Sequence, residues 1–445
     1  MMNSQPPIRG LLKNMKPVED ITVCVWDYGS FLSMAEMFGR AVKKCYYFSP
    51  FEEEFRDIKK CVIGGGLEPY VNRLNYPLDP DILDTIDLHC FPDIGFWGQQ
   101  KLLRHMGKAV WGSMGVDNLE LSRTEFMDWI KELGLTYAPY EPIKGLTNLR
   151  LFLTDKKNKW VKIDRFRANM ETWKHIDIEH SERKLDAMAV DFGGYQNEVE
   201  FVVQDDIESD CEIGFDGWTV DGQFPNSSFQ GYERKNELYL GSLLDYFKLP
   251  KEILMINEKI SPTLERFGYR NFIATEIRVK GEKSYYIDPT MRLPGQTGEH
   301  LFTTCPNIAD IIWQGANGVL VQPKFTAKFV TEATMHYTGD NQAWKTVRVP
   351  EEIEQWVKLY HYCKNNGIYH FPTHKSDEVG VICGAGDSIE LAYEALMSNF
   401  DKMKNEPVTI ESEEFAHLIQ DVKDAQKQGM KFSDKPIPKP EIALT

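Results

Sequence analysis

Short apolar runs alternate with amphipathic stretches over residues 1–115 of the chain. The apolar runs are ITVCVWDY, KKCYYFSP, KKCVIGGG, IDLHCFPD and KAVWG, and helical spacing of apolar positions follows Gly29-Ser30 and recurs at 99–106. Strands that alternate with helices predict a parallel, doubly wound sheet. The segment Gly64-Gly65-Gly66 fits neither GxxxxGK[ST] nor GxGxxG, so we expect a tight turn there and not a phosphate loop.

From Asn118 onward the pattern predicts helices mixed with antiparallel strands. LELSRTEFMDWIKELG is an amphipathic helix that ends at Gly134, and EHSERKLDAMAVDF is a second helix; KWVKID and EFVVQDD are strands. NFIATEIRV and SYYIDPTMRL form a hairpin around Gly281. After Val321 the pattern predicts a strand in FTAKFVTEATMHY, a helix at 353–365 and a strand–turn–helix in DEVGVICGAGDSIELAYEALMSNFDKM.

Composition and charge narrow the class of protein. The chain has 445 residues, 42% of them hydrophobic, and a formal net charge of −16, so we expect no general nucleic-acid binding. The eight cysteines are scattered without zinc-like spacing and are expected to be reduced. The chain has no apolar run of signal-peptide or membrane-spanning length, so we expect a cytoplasmic protein with no membrane partner.

The hairpin carries the clearest chemistry. Glu276 and Asp288 lie on its two strands, on either side of the turn at Gly281, and antiparallel pairing can bring them together on one face. Two neighbouring carboxylates repel each other unless cations neutralise them, and Mg²⁺ takes carboxylate oxygens while leaving positions for phosphates. A solvated polar face is the alternative, although the apolar residues that flank both acids argue against it.

Three further stretches are suited to a nucleotide. Lys162 lies on the apolar strand KWVKID, where a lysine extends to solvent or meets an anion. The run FVVQDDIESDCEIGFDG ends a strand in groups that can bond an adenine edge and ribose hydroxyls. RFRANMET presents Arg165 and Arg167 on a loop, where a guanidinium can hold phosphate oxygens; surface arginines are the alternative.

This order of elements resembles the ATP-grasp superfamily, and within it phosphoribosylamine–glycine ligases. The similarity extends over most of the chain, including GSMGVDNLELSRTEFMDWIKELGLTYAPY and GVICGAGDSIELAYEALMSNFDKM. It implies an α/β fold, α+β in the ATP-grasp part. The implied units are a doubly wound domain at 1–115, an ATP-grasp domain of two subdomains at 116–321, a small C-terminal domain at 322–430 and a flexible tail at 431–445.

The resemblance also implies roles for individual residues. Arg123 stands where the family has an ATP-contacting lysine, and Lys162 matches the lysine at the α/β-phosphates. The adenine hinge would be Asp205, Asp206 and Ile207, the ribose would bind Glu212, the metal would bind Glu276 and Asp288, and Arg292 would face the transferred phosphate.

Three departures from the family pattern stand out. Thr290 replaces the asparagine of E-x-N-x-R, so a second metal ion would be held more weakly. The loop after Lys162 lacks glycine, so side chains such as Arg165 and Arg167 would replace the backbone groups that cover the phosphates. PTMRLPGQTGEHLF differs from the family where it borders the acceptor, which puts the identity of the substrate in question.

The resulting prediction is an ATP- and Mg²⁺-dependent ligase, with Mn²⁺ as a possible substitute, that joins a small-molecule carboxylate to an amine through an acyl phosphate. One alternative keeps this chemistry for an amine outside purine synthesis: a modified nucleotide, a sugar or a peptide. Another is a nucleotide-binding scaffold without catalysis. The sequence leaves open whether the protein is a monomer or a dimer.

Overall fold

The computed structural model describes residues 15–50, 62–165, 172–207, 211–234, 237–340, 345–372, 377–412 and 414–427. Its strands are β1 Thr22–Trp26, β2 Lys44–Phe48, β3 Val71–Arg73, β4 Leu88–Cys90, β5 Ala109–Trp111, β6 Tyr140–Lys144, β7 Lys159–Ile163, β8 Thr172–His175, β9 Glu200–Asp205, β10 Cys211–Val220, β11 Ser227–Arg234, β12 Leu238–Asp245, β13 Arg270–Lys280, β14 Lys283–Thr290, β15 Phe329–Tyr337, β16 Lys345–Val347, β17 Val357–Leu359, β18 Cys363–Asn365, β19 Ile368–Phe371, β20 Glu378–Gly386 and β21 Val408–Thr409.

The α-helices connect and cover these strands. They are α1 Leu32–Ala41, α2 Pro80–Leu83, α3 Trp97–His105, α4 Asn118–Leu121, α5 Arg123–Glu132, α6 Leu146–Leu153, α7 Ile178–Phe192, α8 Lys251–Phe267, α9 Gly295–Gly298, α10 Leu301–Thr304, α11 Ile308–Ala316, α12 Ile389–Asp401 and α13 Glu414–Lys427. No helix in the described ranges is both long and apolar enough to cross a membrane.

The N-terminal part is the predicted parallel, doubly wound sheet. Its five strands have the order β3-β2-β1-β4-β5, and every residue of β1 is buried. The chain runs outward from β1 through β2 to β3, then returns to place β4 on the other side of β1. The strand order therefore reverses between β1 and β4, and the carboxyl ends of strands at such a reversal are where open α/β sheets bind their ligands.

One strand of this part was placed wrongly. KKCVIGGG was expected to be the third strand, but in its described portion residues 63–66 form a turn, and β3 begins only at Val71. Gly64 and Gly66 have φ values of +80° and +79°, which favour glycine and end an extended strand. The predicted tight turn at the three glycines is confirmed.

A small antiparallel sheet has the order β6-β9-β7-β8 and its own core. Val161 and Phe201 of the sheet pack with Leu149 of α6 and Leu185 of α7 in that core. The polar ends and the opposite face of β7 and β9 are consequently available to line a cleft.

A large antiparallel sheet follows the path β14-β13-β10-β11-β12-β15-β20-β17, with β21 beside β15. The predicted hairpin supplies β13 and β14 at one edge. Strands from beyond residue 321 continue the same sheet, because β15 pairs with β12. The domain boundaries given above stay a prediction.

Two helix predictions need correction. Residues 353–365 were expected to form one helix, but a 3₁₀ turn at Glu351–Trp356 leads into β17 and β18. Val357 pairs with Ile382 of β20, so tertiary pairing at the sheet edge prevails over the local apolar pattern. The single helix expected at 119–134 is interrupted at Ser122, whose hydroxyl accepts a hydrogen bond from the Glu125 amide (3.3 Å) and starts α5.

Candidate active site

A β-bulge in the β13–β14 hairpin makes Glu276 and Asp288 direct cross-strand neighbours. Near the turn, Ile277 pairs with Tyr286, and continuing that register would place Ile287 opposite Glu276. The register instead shifts between Glu276 and Ile277, so Asp288 takes the position opposite Glu276. The bulge thus turns both carboxylates toward the same face, where a cation can be shared between them.

Two cationic side chains lie beside this pair. Lys162 extends from β7 and is half-buried, and Arg123, only 7% exposed, begins α5. The Arg123 Nη1 atom lies 3.8 Å from Asp288 Oδ1. Burial and then the charge of Arg123 lower the pKa of Lys162 to about 8, against the opposing effect of Asp288 and Glu276. An anionic ligand would favour the charged form of this lysine.

Asp164 ties the start of α5 to the end of β7 and so fixes Arg123 next to Lys162. The Asp164 carboxylate is buried and accepts a hydrogen bond from the Thr124 amide at 2.7 Å. It also accepts one from the Ser122 hydroxyl at 3.4 Å. A buried carboxylate at a helix N-terminus is stabilised by the unpaired backbone amides there. Asp164 therefore holds the start of α5 against the end of β7.

The predicted hinge lies at the end of β9. The Asp205 amide donates to the Pro139 carbonyl (2.9 Å), and its carboxylate pairs with Lys159. Asp206 accepts the Trp160 indole N–H at 2.8 Å and pairs with Lys174 at 2.5 Å. These contacts hold the segment leading to Ile207 in place.

These residues meet in one open cleft between the small and large sheets. Its lining comprises Arg123, Met127, Ala138, Trp160, Lys162, Thr172, Gln204, Asp205, Ile207, Glu276, Arg278, Tyr286, Ile287 and Asp288. Six of the predicted site residues therefore converge: the metal pair Glu276 and Asp288, the cations Arg123 and Lys162, and Asp205 and Ile207 of the hinge.

Sequence reasoning missed Trp160 and Arg278 as parts of this cleft. Trp160 lies two positions before Lys162, and Arg278 two positions after Glu276, so each shares a strand face with a residue already identified. The Arg278 guanidinium lies 5.9 Å from the centre of the Trp160 ring. The period of two along β7 and β13 was the signal that could have found them.

The other predicted residues have different surroundings. Thr290 pairs with Ala274 and shares the strand face of Asp288, and Glu212 pairs in register with Arg278. Arg165 is 66% exposed and pairs with Glu125 at 3.0 Å, so the structure does not bring it to the cleft lining. Arg167 lies outside the described residues.

Arg292 projects beyond the hairpin toward the edge of the parallel sheet. Its Nε donates to Glu120 Oε1 at 2.9 Å and lies 3.6 Å from Asp93 Oδ1. Burial alone would lower its pKa, but Glu120 and Asp93 outweigh that effect and raise the pKa above its ordinary value. Asp288 acts in the same direction, so the guanidinium stands between the carboxylate pair and a second acidic region.

The carboxylate pair is suited to a metal ion that also binds phosphate. Within the described segments, no group of three or more His, Cys, Asp or Glu side chains converges as a metal site. A pair of carboxylates with adjacent cations is the donor set that Mg²⁺ uses when nucleotide phosphates and water complete its coordination. The residues present fit such an ion.

Comparison with known proteins gives matches only among solved structures. No family model and no curated protein matches the sequence. The phosphoribosylamine–glycine ligase of Thermotoga maritima matches with a TM-score of 0.65 and 15% identity, covering 88% of this chain and 98% of that one.

Two other enzymes match over a similar extent. The biotin carboxylase domain of the Hydrogenobacter thermophilus 2-oxoglutarate carboxylase, solved with MgADP, ADP and bicarbonate, has a TM-score of 0.59 and 13% identity, covering 85% of this chain and 89% of that one. The N5-carboxyaminoimidazole ribonucleotide synthetase of Thermus thermophilus has a TM-score of 0.55 and 12% identity, covering 86% and 98%. All three are ATP-grasp enzymes, so the predicted ATP-grasp fold is confirmed.

Proposed function

We propose that the protein is an ADP-forming ligase that joins a carboxylate to an amine. The observation that carries the proposal is the bulged register that places Glu276 opposite Asp288, beside the cations Lys162 and Arg123 in one cleft. Neighbouring structures that hold ADP, one of them with magnesium, support the use of a nucleotide by this fold.

Each residue then has a role in phosphoryl transfer. Glu276 and Asp288 would hold Mg²⁺, or Mn²⁺, which when bound neutralises phosphate charge; Thr290 would offer one further oxygen. Lys162 and Arg123 position the phosphates, and Arg292 stabilises charge on the transferred group. A substrate carboxylate oxygen attacks the γ-phosphorus, and ADP leaves. The amine nitrogen then attacks the acyl carbon, phosphate leaves and the nitrogen loses a proton, so no side-chain nucleophile is required.

The hinge and its surroundings would select adenine. In this proposal the backbone groups of Asp205, Asp206 and Ile207 face the base and Glu212 binds the ribose. Trp160, which lines the cleft with Asp205 and Ile207, would lie beside the base. A base with the opposite donor and acceptor pattern leaves buried polar groups unpaired, which costs about 1–3 kcal/mol. We therefore expect ATP to be used in clear preference to GTP.

Trapping of an acyl phosphate tests the proposal. ADP release is measured with Mg²⁺, ATP and a panel of amino acids, and hydroxylamine is added in place of the amine to convert an acyl phosphate into a stable hydroxamate. A hydroxamate that depends on both ATP and one carboxylate supports the ligase. Tight binding of MgATP without ADP release for any carboxylate would favour the alternative of a non-catalytic scaffold.

A second candidate keeps the ligase chemistry but changes the amine. The surroundings of Arg292 are acidic: Glu120 and Asp93 both lie within 3.6 Å of its Nε. The transferred phosphoryl group would be neutralised by the metal ion, Lys162 and Arg123, whereas a phosphate on the amine, on the side of Arg292 away from the cleft, would face Glu120 and Asp93. This observation favours an amine other than phosphoribosylamine, outside purine synthesis.

A further inference from the structure

Gln204 is a nearly buried polar side chain in the cleft that has no part in the proposed phosphoryl transfer. It is 9% exposed and lies on β9, one residue before the hinge. Phe201 and Val203 of the same strand pack in the core of the small sheet. Because side chains alternate along a strand, Gln204 lies on the opposite face, where it lines the cleft.

The carboxamide of Gln204 has few hydrogen-bond partners. Among the described residues it makes a single hydrogen bond, in which Nε2 donates to the thioether sulphur of Met127 at 3.1 Å. A thioether is a weak acceptor, and the Gln204 Oε1 atom accepts no hydrogen bond from the described part of the chain. Buried amides are normally paired, so an amide oxygen without a partner in the wall of a cleft points to a ligand that donates a hydrogen bond.

The neighbours of Gln204 place it beside the base and not beside the phosphates. Trp160 pairs with Gln204 across β7 and β9, and Asp205 of the hinge follows it directly. Lys162, two residues beyond Trp160, pairs with Val202 instead. The cleft therefore has a base end at Gln204 and a phosphate end at Lys162.

Met127 determines which end of the carboxamide meets the ligand. A carboxamide turned by 180° exchanges its donor and its acceptor, and the two orientations suit different bases. Met127 is 3% exposed, and its sulphur accepts from Nε2. This bond leaves Oε1, an acceptor, as the atom that a base in the cleft meets first.

We propose that Gln204 is a specificity-determining residue, whose Oε1 accepts a hydrogen bond from the exocyclic amino group of adenine. The inference rests on the proposed ATP-dependent function and adds a side-chain contact to the backbone contacts of the hinge. An amino group has two hydrogens, so a hinge carbonyl and Gln204 can each accept one. Guanine and hypoxanthine carry an oxygen at this position, and two facing acceptors without a hydrogen between them repel each other.

Calorimetric titration of the full chain with MgATP and with magnesium inosine triphosphate tests this role. No carboxylate substrate is added, so the nucleotide is not consumed. The hinge reads the same edge of the base, so the informative quantity is the ratio of the two Kd values, compared between wild type and variants. Gln204→Leu and Gln204→Met fill similar space without a carboxamide, and each is expected to lower the preference for ATP at least fivefold.

Gln223→Leu is the matched control. Gln223 is an exposed glutamine between β10 and β11, so this variant should keep the wild-type ratio. The melting temperature checks that each variant is folded. An unchanged ratio in the folded Gln204 variants would overturn the proposal and leave Gln204 as a residue that only packs against Met127. Equal affinity of the wild-type protein for the two nucleotides would overturn it without any variant.

The failure of this inference differs from the failure of the proposed function. If the wild-type protein binds neither nucleotide and no carboxylate supports ADP release, the proposed function itself is wrong. If MgATP binds and a hydroxamate forms, but the ratio of Kd values is the same with and without the Gln204 carboxamide, the ligase stands and only the role of Gln204 is wrong.

Discussion

The nucleotide cleft differs in its charges from the acidic crevice, the name we give to the buried acids Asp27, Asp93, Asp117 and Glu120, which follow β1, β4 and β5. In the cleft, Glu276 and Asp288 are matched by Lys162 and Arg123. In the crevice, Arg292 Nε lies 2.9 Å from Glu120 Oε1 and 3.6 Å from Asp93 Oδ1, and burial raises the pKa values of Asp27 and Asp117. The first arrangement is suited to the metal ion and nucleotide proposed above, whereas the second keeps acids buried with few matching cations.

Buried acids in and near the acidic crevice have raised pKa values. Burial, above all, raises the pKa of Asp27 to about 7 and that of Glu299 to about 8. Glu299 is electrostatically coupled to Asp27, and its carboxylate accepts the Ser33 hydroxyl. Such shifts are concentrated where function requires them, although structural networks also produce them. Variants and changes of pH can therefore test the cleft and the crevice independently.

The largest expected effect comes from the carboxylate pair. Glu276→Gln or Asp288→Asn removes a charge that would neutralise the metal ion at the phosphates, so we expect ADP release to fall about 100- to 1,000-fold. Glu282→Gln, in the turn of the same hairpin, is the matched control and should keep wild-type rates. Near-normal rates in both carboxylate variants would show that Glu276 and Asp288 do not bind a metal ion needed for the reaction. The proposed difference in function between the cleft and the crevice would then be wrong.

The pH dependence of the free energy of unfolding tests whether the buried acids in and near the acidic crevice are protonated. Because Asp27 and Glu299 have raised pKa values, the folded state holds protons that the unfolded chain releases above pH 4 to 5. The free energy of unfolding should therefore fall as the pH rises from about 5 to 8, by up to about 1.4 kcal/mol per pH unit for each group, and level off above that.

Urea unfolding at pH 5, 6.5 and 8 measures this dependence, and Glu299→Gln should make it shallower. The exposed Glu282→Gln variant should follow the wild-type curve. A free energy of unfolding that does not change over this range, or that rises, would show that the buried acids are not held neutral.

Lys162 gives the corresponding pH test for the cleft. Its pKa of about 8 means that it loses its charge as the pH rises through that value, so kcat/KM for ATP should decline above pH 8. Lys162→Ala should lower kcat/KM about 10- to 100-fold, since a charged hydrogen bond contributes about 1.5–3 kcal/mol. Lys162→Arg, which stays protonated, should move the decline to higher pH. A decline that is unchanged in Lys162→Arg would assign it to another group.

Sequence patterns predicted the parallel sheet and the hairpin because both depend on local periodicity. The pairing of Glu276 with Asp288 depends in addition on the bulge at Ile287, without which Asp288 would lie opposite Thr275 on the other face. No local pattern indicates that bulge. The acidic crevice was missed for a different reason: its members are far apart in the chain, and only the reversal of strand order brings them together.

The smallest expected effect concerns Arg165, which the sequence placed at the phosphates. Its guanidinium is largely exposed and pairs with Glu125 at 3.0 Å and Asp164 at 3.7 Å. Exposed ion pairs contribute about 0–1 kcal/mol, so Arg165→Ala should change the KM for ATP less than twofold and leave the melting temperature nearly unaltered. Lys162→Ala, measured in the same assay, is the positive control. An increase of the KM above tenfold in Arg165→Ala would instead mean that this arginine leaves Glu125 to bind the nucleotide, and the cleft would then gain a fourth cation beside Arg123, Lys162 and Arg278.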